Sequence, residues 1–434
     1  MKSNLKKGIN LPAVIALGLG TAVGVSIFSA LGPATAIAGP GMLITVVLAA
    51  LPVLIMSISY AFMGSAAPTS GATYEWSRRF LHPYLGFILA WIRVISAIGA
   101  LMVLALVLVR YVSMLIEIPV KPTMFCLFAI LATIHHFGVD LVAKIQTVLM
   151  SLLVVAFVIF AALGAPSIDA ANFSPLLAHG WYGIITAIPL LLGLFAGLES
   201  ACEVGDEVAD GRRQIPIGIA VATISALLLY LMIGAVSLGV LGADGLANSK
   251  APLLDTARQF AGPAAVPMIV AMAVIAMGKS LNAIFMIFSR SIFAMARANA
   301  LPEALAKIHP RWGTPYLATR LVFALCCIGL LLPMDLTFLF IAVNIVGVIQ
   351  SAAICYIAGH VVRRHPDLYD GASFKFGRTT MIVFSWAGVG VAVILGAIGL
   401  ETDWKPYLLL VSWGSVGTVF YLARQRRKIA PAVA

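Results

Sequence analysis

The stretch LGLGTAVGVSIFSALGP, residues 17–33, lies inside an apolar run long enough to cross a bilayer, yet it is studded with glycine. Glycine loosens a helix, and a hydrocarbon interior offers an unpaired backbone N–H or C=O no partner, at a cost of several kcal/mol. Irregular backbone at that depth is tolerated only where it lines a cavity or is buried in protein. Gly18, Gly20 and Gly24, with Ser26 just beyond, predict a helix weakened halfway across, and Gly32–Pro33 predict its end near the far face. For this stretch alone, close packing of two helices through small residues explains the glycines equally well.

The rest of the chain has the same character. At 62% hydrophobic and 10% charged residues it is far more apolar than a soluble domain. Its apolar runs recur from end to end, about twelve of them, centred near Ala22, Ile55, Ala100, Leu131, Val154, Leu194, Leu228, Val274, Cys326, Val346, Val391 and Ser415. This predicts an all-α, polytopic membrane protein. The first run follows Lys2, Lys6 and Lys7, as a signal peptide would, but it continues well past a normal h-region and more spans follow, so it is read as a span.

A net charge of +11 invites a nucleic-acid reading, which its distribution opposes. With the N-terminus inside and sides alternating, the inner loops collect most of the basic residues, among them Arg78, Arg79, Arg212, Arg213, Arg297, Lys307, Arg311, Arg363, Arg364 and the tail Arg424, Arg426, Arg427 and Lys428. The outer loops hold only Lys121, Lys250, Arg258 and Lys405. That asymmetry is the positive-inside pattern, with both termini cytoplasmic and the tail a topology anchor able to meet anionic lipid. The five cysteines form no C-x-x-C pair and read as small apolar packing residues. The longest loops, 165–181, 243–262, 298–315 and 363–379, are too short for a catalytic module. No H-E-x-x-H, G-x-S-x-G or Walker loop occurs, and the His135–His136 pair, without a carboxylate at ligand spacing, reads as packing or capping. No metal or cofactor is expected.

The sixth run, LLLGLFAGLESACEVGDEV, is interrupted by Gly193, Gly197 and Gly205 and places Glu199 in its apolar part. Two glycine-broken spans, first and sixth, are what an inverted five-plus-five repeat predicts, with a small molecule bound between the breaks. N–H groups freed at a half-helix N-terminus hold a carboxylate, and carbonyls freed at the facing break accept from an ammonium. Those two poles suit the head group of an amino acid.

Four stretches, in order, resemble the amino acid-polyamine-organocation transporters over nearly the whole chain. GTAVGVSIF at 20–28 is similar to the first-span G-x-x-x-G-S-G-I-F pattern, and PTSGATYEW at 68–76 to the P-x-S-G-G-x-Y-x-Y loop. FAGLESACEVGDEVADGRRQIP at 195–216 resembles the sixth-span segment ending E-V-x-N-P-x-R-x-x-P, and SRSIFAMARANALPEALAKIHPRWGTP at 289–315 the A-x-A-R-D-G-x-x-P segment with its following T-P. The resemblance implies a LeuT-type transport core over residues 1–362, with inverted repeats at about 10–165 and 180–362. A cytoplasmic loop, two further helices and the basic tail then occupy 363–434. It also implies that Gly24, Val25 and Ser26 offer N–H groups to a carboxylate, that carbonyls around Gly193 and Ala196 face an ammonium, and that Gly197 permits the break. Glu199, at the family's acidic position, would orient the broken helix or take part in proton coupling. Three departures bear on the substrate: Ser26 stands where the pattern has its third glycine, Gly193 where some members carry an aromatic gate with Phe195 near enough to serve instead, and Ile284 where some carry tryptophan. A roomier pocket and a bulky side chain are expected.

Charges inside apolar runs cost about 2.5–3.5 kcal/mol each on insertion scales and demand a partner or a purpose. Lys279 lies in VIAMGKSLNAIF and Arg93 in LAWIRVISAIG; against them stand Glu199 and Glu203, spaced i, i+4 and so on one face of an α-helix. Three readings are open. Arg93 snorkels while Lys279 neutralises a glutamate; or one of the two cations binds a second acidic group of a dicarboxylic substrate; or Lys279 serves coupling. Many proton-dependent relatives carry a fifth-span lysine in the place of a sodium ion. The matching position here is Leu153, so that Lys279, next to Ser280, would supply the cation from the eighth span and exchange a proton. The expectation is an inner-membrane amino acid carrier working by alternating access as a proton symporter, with exchange as the rival. An amine or polyamine substrate, a sensor and a channel are weaker alternatives. The partners expected are a small-molecule substrate and membrane lipids, with no nucleic acid.

Overall fold

The computed structural model describes residues 5–331, 336–402 and 404–429; Lys2 and the side chains of Arg426, Arg427 and Lys428 lie outside the described residues. Asn10 opens the first helix, its side chain accepting the Ala13 N–H at 3.2 Å, with Pro12 in the first turn where its missing donor costs nothing. The first run becomes α1 (Leu11–Ala22), a non-helical step at 23–25, α2 (Ser26–Ser29) and α3 (Leu31–Ala38). Then follow α4 (Met42–Ala66), α5 (Ala72–Phe80), α6 (Pro83–Val112), α7 (Val120–His136), α8 (Val139–Gly164) and α9 (Gly180–Leu192). Past a second interruption at 193–197 come two 3₁₀ segments, Leu198–Glu203 and Gly205–Glu207. The remainder comprises α10 (Gly211–Asn248), α11 (Pro252–Ala261), α12 (Ala265–Arg297), α13 (Tyr316–Gly329), α14 (Leu336–Arg364), α15 (Pro366–Asp370), α16 (Arg378–Thr402) and α17 (Lys405–Ile429).

Among the described residues, eight helical stretches are long and apolar enough to cross a membrane, and three shorter apolar helices, α7, α9 and α13, accompany them. The protein is thus a multi-pass membrane protein. The shortness of α9 has a local cause, since the sixth run is centred on the interruption at Leu194 and only its first half is α-helical. The outward faces of α8, α10 and α16 carry Val148, Leu228 and Val393, each more than half exposed. A surface of that kind suits lipid and would be a liability in water. The centre is formed by α1, which packs on α8, α10 and α12, and by α6, which packs on α12 and α14.

Three local expectations are corrected. Gly18 and Gly20 do not weaken α1, which runs through both to Ala22. They allow close approach instead: a Cβ at Gly20 would fall 1.8 Å from Gln146 Nε2, and one at Gly18 would fall 2.8 Å from the Leu198 carbonyl. Gly32–Pro33 do not end the first span but lie in the first turn of α3, where a proline lacks no hydrogen bond the helix could have made. Glu199 and Glu203 do not share a face, because the segment joining them is a 3₁₀ helix, in which residues four apart diverge by about 120°.

Candidate functional site

The two interruptions meet. A cavity of about 680 Å³ is bordered by Gly24, Val25, Ser26, Gly193, Phe195, Ala196, Gly197, Ile284, Arg93 and Glu199, and by Thr21, Tyr60 and Phe288. It extends past Ser29 and Pro33 beyond the first break and past Pro189 and Leu190 ahead of the second. Those segments lie on the side of the breaks away from residues 5–9. Of the residues expected to bind substrate or to carry the intramembrane charge, Lys279 and Glu203 do not border it.

At the first break, α1 ends with carbonyls that have no helical partner. Lys279, on α12, answers them: its Nζ donates to Gly20 O at 3.0 Å, to Leu19 O at 3.4 Å and to Val23 O. Ser280 Oγ adds a second donor to Gly20 O at 2.6 Å. Lys279 is fully buried, and its charge sits at the negative end of the α1 dipole. It makes no ion pair with a glutamate among the described residues, which removes the reading in which it neutralises one. Gln146 Nε2 reaches Ala16 O at 3.0 Å and Asn282 Nδ2 reaches Gln146 Oε1 at 2.8 Å, tying α8 and α12 to α1. Leu153, the matching fifth-span position, is buried and apolar. Of the three N–H groups expected for a carboxylate, that of Gly24 is bonded to Ala22 O at 2.9 Å. Those of Val25 and Ser26 have no acceptor among the described residues and border the cavity.

The second break is held differently. Gly197 adopts φ +97°, a conformation side-chain-bearing residues rarely take, and a Cβ there would fall 2.7 Å from Thr21 Cβ. Thr21 Oγ1 donates to Gly197 O at 2.5 Å, Ser26 Oγ to Gly193 O at 3.2 Å and Tyr230 OH to Leu194 O at 2.6 Å. The hydroxyl that replaces the pattern's third glycine therefore covers one of the carbonyls expected to meet an ammonium. Ala196 O has no donor among the described residues. Phe195 borders the cavity, but its ring is fully buried, edge-on to Tyr230 with centroids 5.3 Å apart. Ile284 stands at the wall, half-buried.

Arg93 does not snorkel. Its NH1 meets Glu203 Oε1 at 2.6 Å and Thr73 Oγ1 at 3.2 Å, and Glu203 also accepts from Thr73. Below this pair, on the side of residues 5–9, Arg290 and Glu207 form a fully buried two-armed pair at 2.7 and 2.8 Å. Arg297 meets Asp206 at 3.0 Å and Glu75 at 3.8 Å. The backbone closes the same layer, with Gly8 and Ile9 N–H donating to Glu207 O and Gly71 N–H to Glu203 O. Arg290 and Glu207 escaped the sequence reading although the signal that marked Lys279, a charge inside an apolar run, marks Arg290 as well. His135 is buried beside Phe285, centroids 5.0 Å apart, while His136 does not border the cavity and meets His309 edge-on.

A family model described as amino acid permease matches residues 9–416. An uncharacterized transporter of Mycobacterium tuberculosis is 31% identical over 74% of this chain and 72% of its own length. The branched-chain amino acid permease BcaP of Bacillus subtilis is 26% identical over 98% of this chain and 94% of its own. A methylthioribose transporter of the same organism is 26% identical over 95% of this chain and 92% of its own.

Proposed function

The chain belongs to the amino acid permease family, and from that premise we propose a carrier that moves an amino acid through the cavity between the two breaks by alternating access. The observation that carries this reading is the meeting of both interruptions in one cavity with complementary poles. Unbonded N–H groups at Val25 and Ser26 suit a carboxylate, and the open Ala196 carbonyl suits an ammonium. Beyond the poles the wall is mixed: Val103, Leu104, Ile284 and Phe288 give an apolar side that favours a bulky, uncharged side chain, while Arg93, Glu199, Ser57 and Ser96 border it as well. Arg93 and Lys279 are both engaged by protein groups, which opposes a dicarboxylic substrate. In this reading the chain has a LeuT-type core of ten spans in two inverted repeats, two appended spans, and both termini cytoplasmic in the plasma membrane. The cavity then faces outward, and the Arg290–Glu207 layer is its cytoplasmic closure.

Coupling rests on Lys279. A cation on the carbonyls of Leu19, Gly20 and Val23 does there what a bound metal cation would do, and an amine can give up its proton where a metal ion must leave. The carrier is accordingly a proton symporter, with the lysine's bonds to the first break strengthening or loosening as it gains or loses a proton.

Counterflow in proteoliposomes tests this. Branched-chain and aromatic amino acids should accumulate into empty vesicles under an inward proton gradient. Uptake that requires a preloaded interior would replace symport by exchange, and no flux of any amino acid would overturn the carrier.

A further inference from the structure

A second concavity, of about 470 Å³, lies apart from the transport cavity where the end of α7 meets the start of α13. His136, Lys307, His309, Tyr316 and Arg320 line it, and among the described residues no carboxylate does. Neither Lys307 nor Arg320 has an ion-pair partner among the described residues. The group is held in place. The 309–314 turn is closed by His309 N–H to Thr314 O at 2.8 Å and Gly313 N–H to His309 O at 2.9 Å. His309 Nδ1 accepts from the N–H groups of Arg311 and Trp312 at 3.2 and 3.3 Å, so the ring proton resides on Nε2 as a donor. The Arg320 guanidinium lies over the Tyr316 ring, 5.3 Å from its centroid. Positive groups gathered without a counter-charge repel one another, and an anion relieves that repulsion.

The surroundings narrow the anion. α7 and α13 pack through Phe125 and Phe323, centroids 5.7 Å apart, and their outward faces expose Phe125, Ile130 and Ile328 at 47%, 56% and 55%. At the pocket's edge Phe137 meets Trp312 edge-on at 5.5 Å, and tryptophan is a residue type enriched at a membrane–water boundary. A Cβ on Gly313 would fall 3.2 Å from Lys6 Cβ, so the pocket lies on the side of residues 5–9, where the basic residues concentrate. An exposed apolar strip on two apolar helices thus ends in a basic pocket. We infer that this pocket binds the phosphodiester headgroup of an anionic phospholipid whose acyl chains lie along α7 and α13. Inorganic phosphate shares the headgroup chemistry but has no use for the strip.

Native mass spectrometry of the full chain in detergent, titrated with dioleoyl phosphatidylglycerol, dioleoyl phosphatidylcholine or inorganic phosphate, tests this. The wild type should retain one phosphatidylglycerol about tenfold more tightly than phosphatidylcholine. Replacing Lys307→Gln and Arg320→Gln together should erase that preference. Both side chains are exposed, and the charge-preserving pair Lys307→Arg and Arg320→Lys should keep it. Arg212→Gln with Arg213→Gln, an exposed basic pair on the same side, should also leave it intact. Equal phosphatidylglycerol retention by wild type and the glutamine pair would overturn the inference. Displacement of the lipid by millimolar inorganic phosphate would also overturn it, assigning the pocket to the free anion.

Discussion

The two breaks solve one problem with different chemistry. At the first, carbonyls freed at the end of α1 are held by a buried ammonium, Lys279, assisted by Ser280. At the second, the carbonyls of Gly193, Leu194 and Gly197 are held by the hydroxyls of Ser26, Tyr230 and Thr21. A hydroxyl's bond is the same at every physiological pH, whereas an amine's depends on its proton. In the function proposed above, the first break is the switchable one and the second is scaffold; two of the hydroxyls, Thr21 and Ser26, cross between them.

Substitutions can break that comparison. The largest effect is expected from Lys279→Met, which leaves Val23 O with no donor and removes one from Leu19 O and Gly20 O. An orphaned buried carbonyl costs about 1–3 kcal/mol, and uptake into proteoliposomes should fall by about tenfold or more. Gly197→Ala comes next. It forces a side chain into φ +97° against Thr21, at about 1–3 kcal/mol, and a thermal-shift assay should find the melting temperature lower by several degrees. Gly24→Ala is its counterpart at the first break. The nearest atom to a Cβ there is Ser280 Oγ at 3.4 Å, so the same assay should detect little change. Equal losses at the two glycines would erase the distinction between the breaks.

Tyr230→Phe removes a single hydroxyl from Leu194 O and should lower stability by about 1 kcal/mol, with substrate selectivity unchanged. A modest effect on binding, with no loss of stability, belongs to Ser26→Gly. It restores the family's glycine and uncovers Gly193 O, so that KM for an amino acid should fall a few-fold as a second carbonyl becomes available to the ammonium. A rise in KM would mean that the Ser26 hydroxyl itself touches the substrate.

The sequence exposed the membrane class and both breaks, because apolar length and glycine are properties of the chain itself. What it hid depends on neighbours. Gly18 and Gly20 look the same whether they loosen a helix or admit another element, and only the position of Gln146 and Leu198 against α1 tells which. The i, i+4 rule failed for Glu199 and Glu203 because the segment between them is a 3₁₀ helix. Lys279 and Arg93 were visible as charges out of place, but their partners were not, since Lys279 meets carbonyls from residues some 260 positions away. Main-chain groups leave no mark in a residue alphabet. Arg290 was legible by the rule that found the others and was hidden only by its place inside a motif read as family pattern.

Substrate-driven proton movement tests the central claim most directly. Proteoliposomes holding wild type or Lys279→Met, loaded with a pH-sensitive dye, would receive a transported amino acid, and substrate binding would be measured in parallel. Interior acidification by the wild type, and none by Lys279→Met with a Kd within a few-fold of the wild type's, is the result expected. Acidification of equal size in the variant would contradict the assignment of Lys279 as the coupling cation.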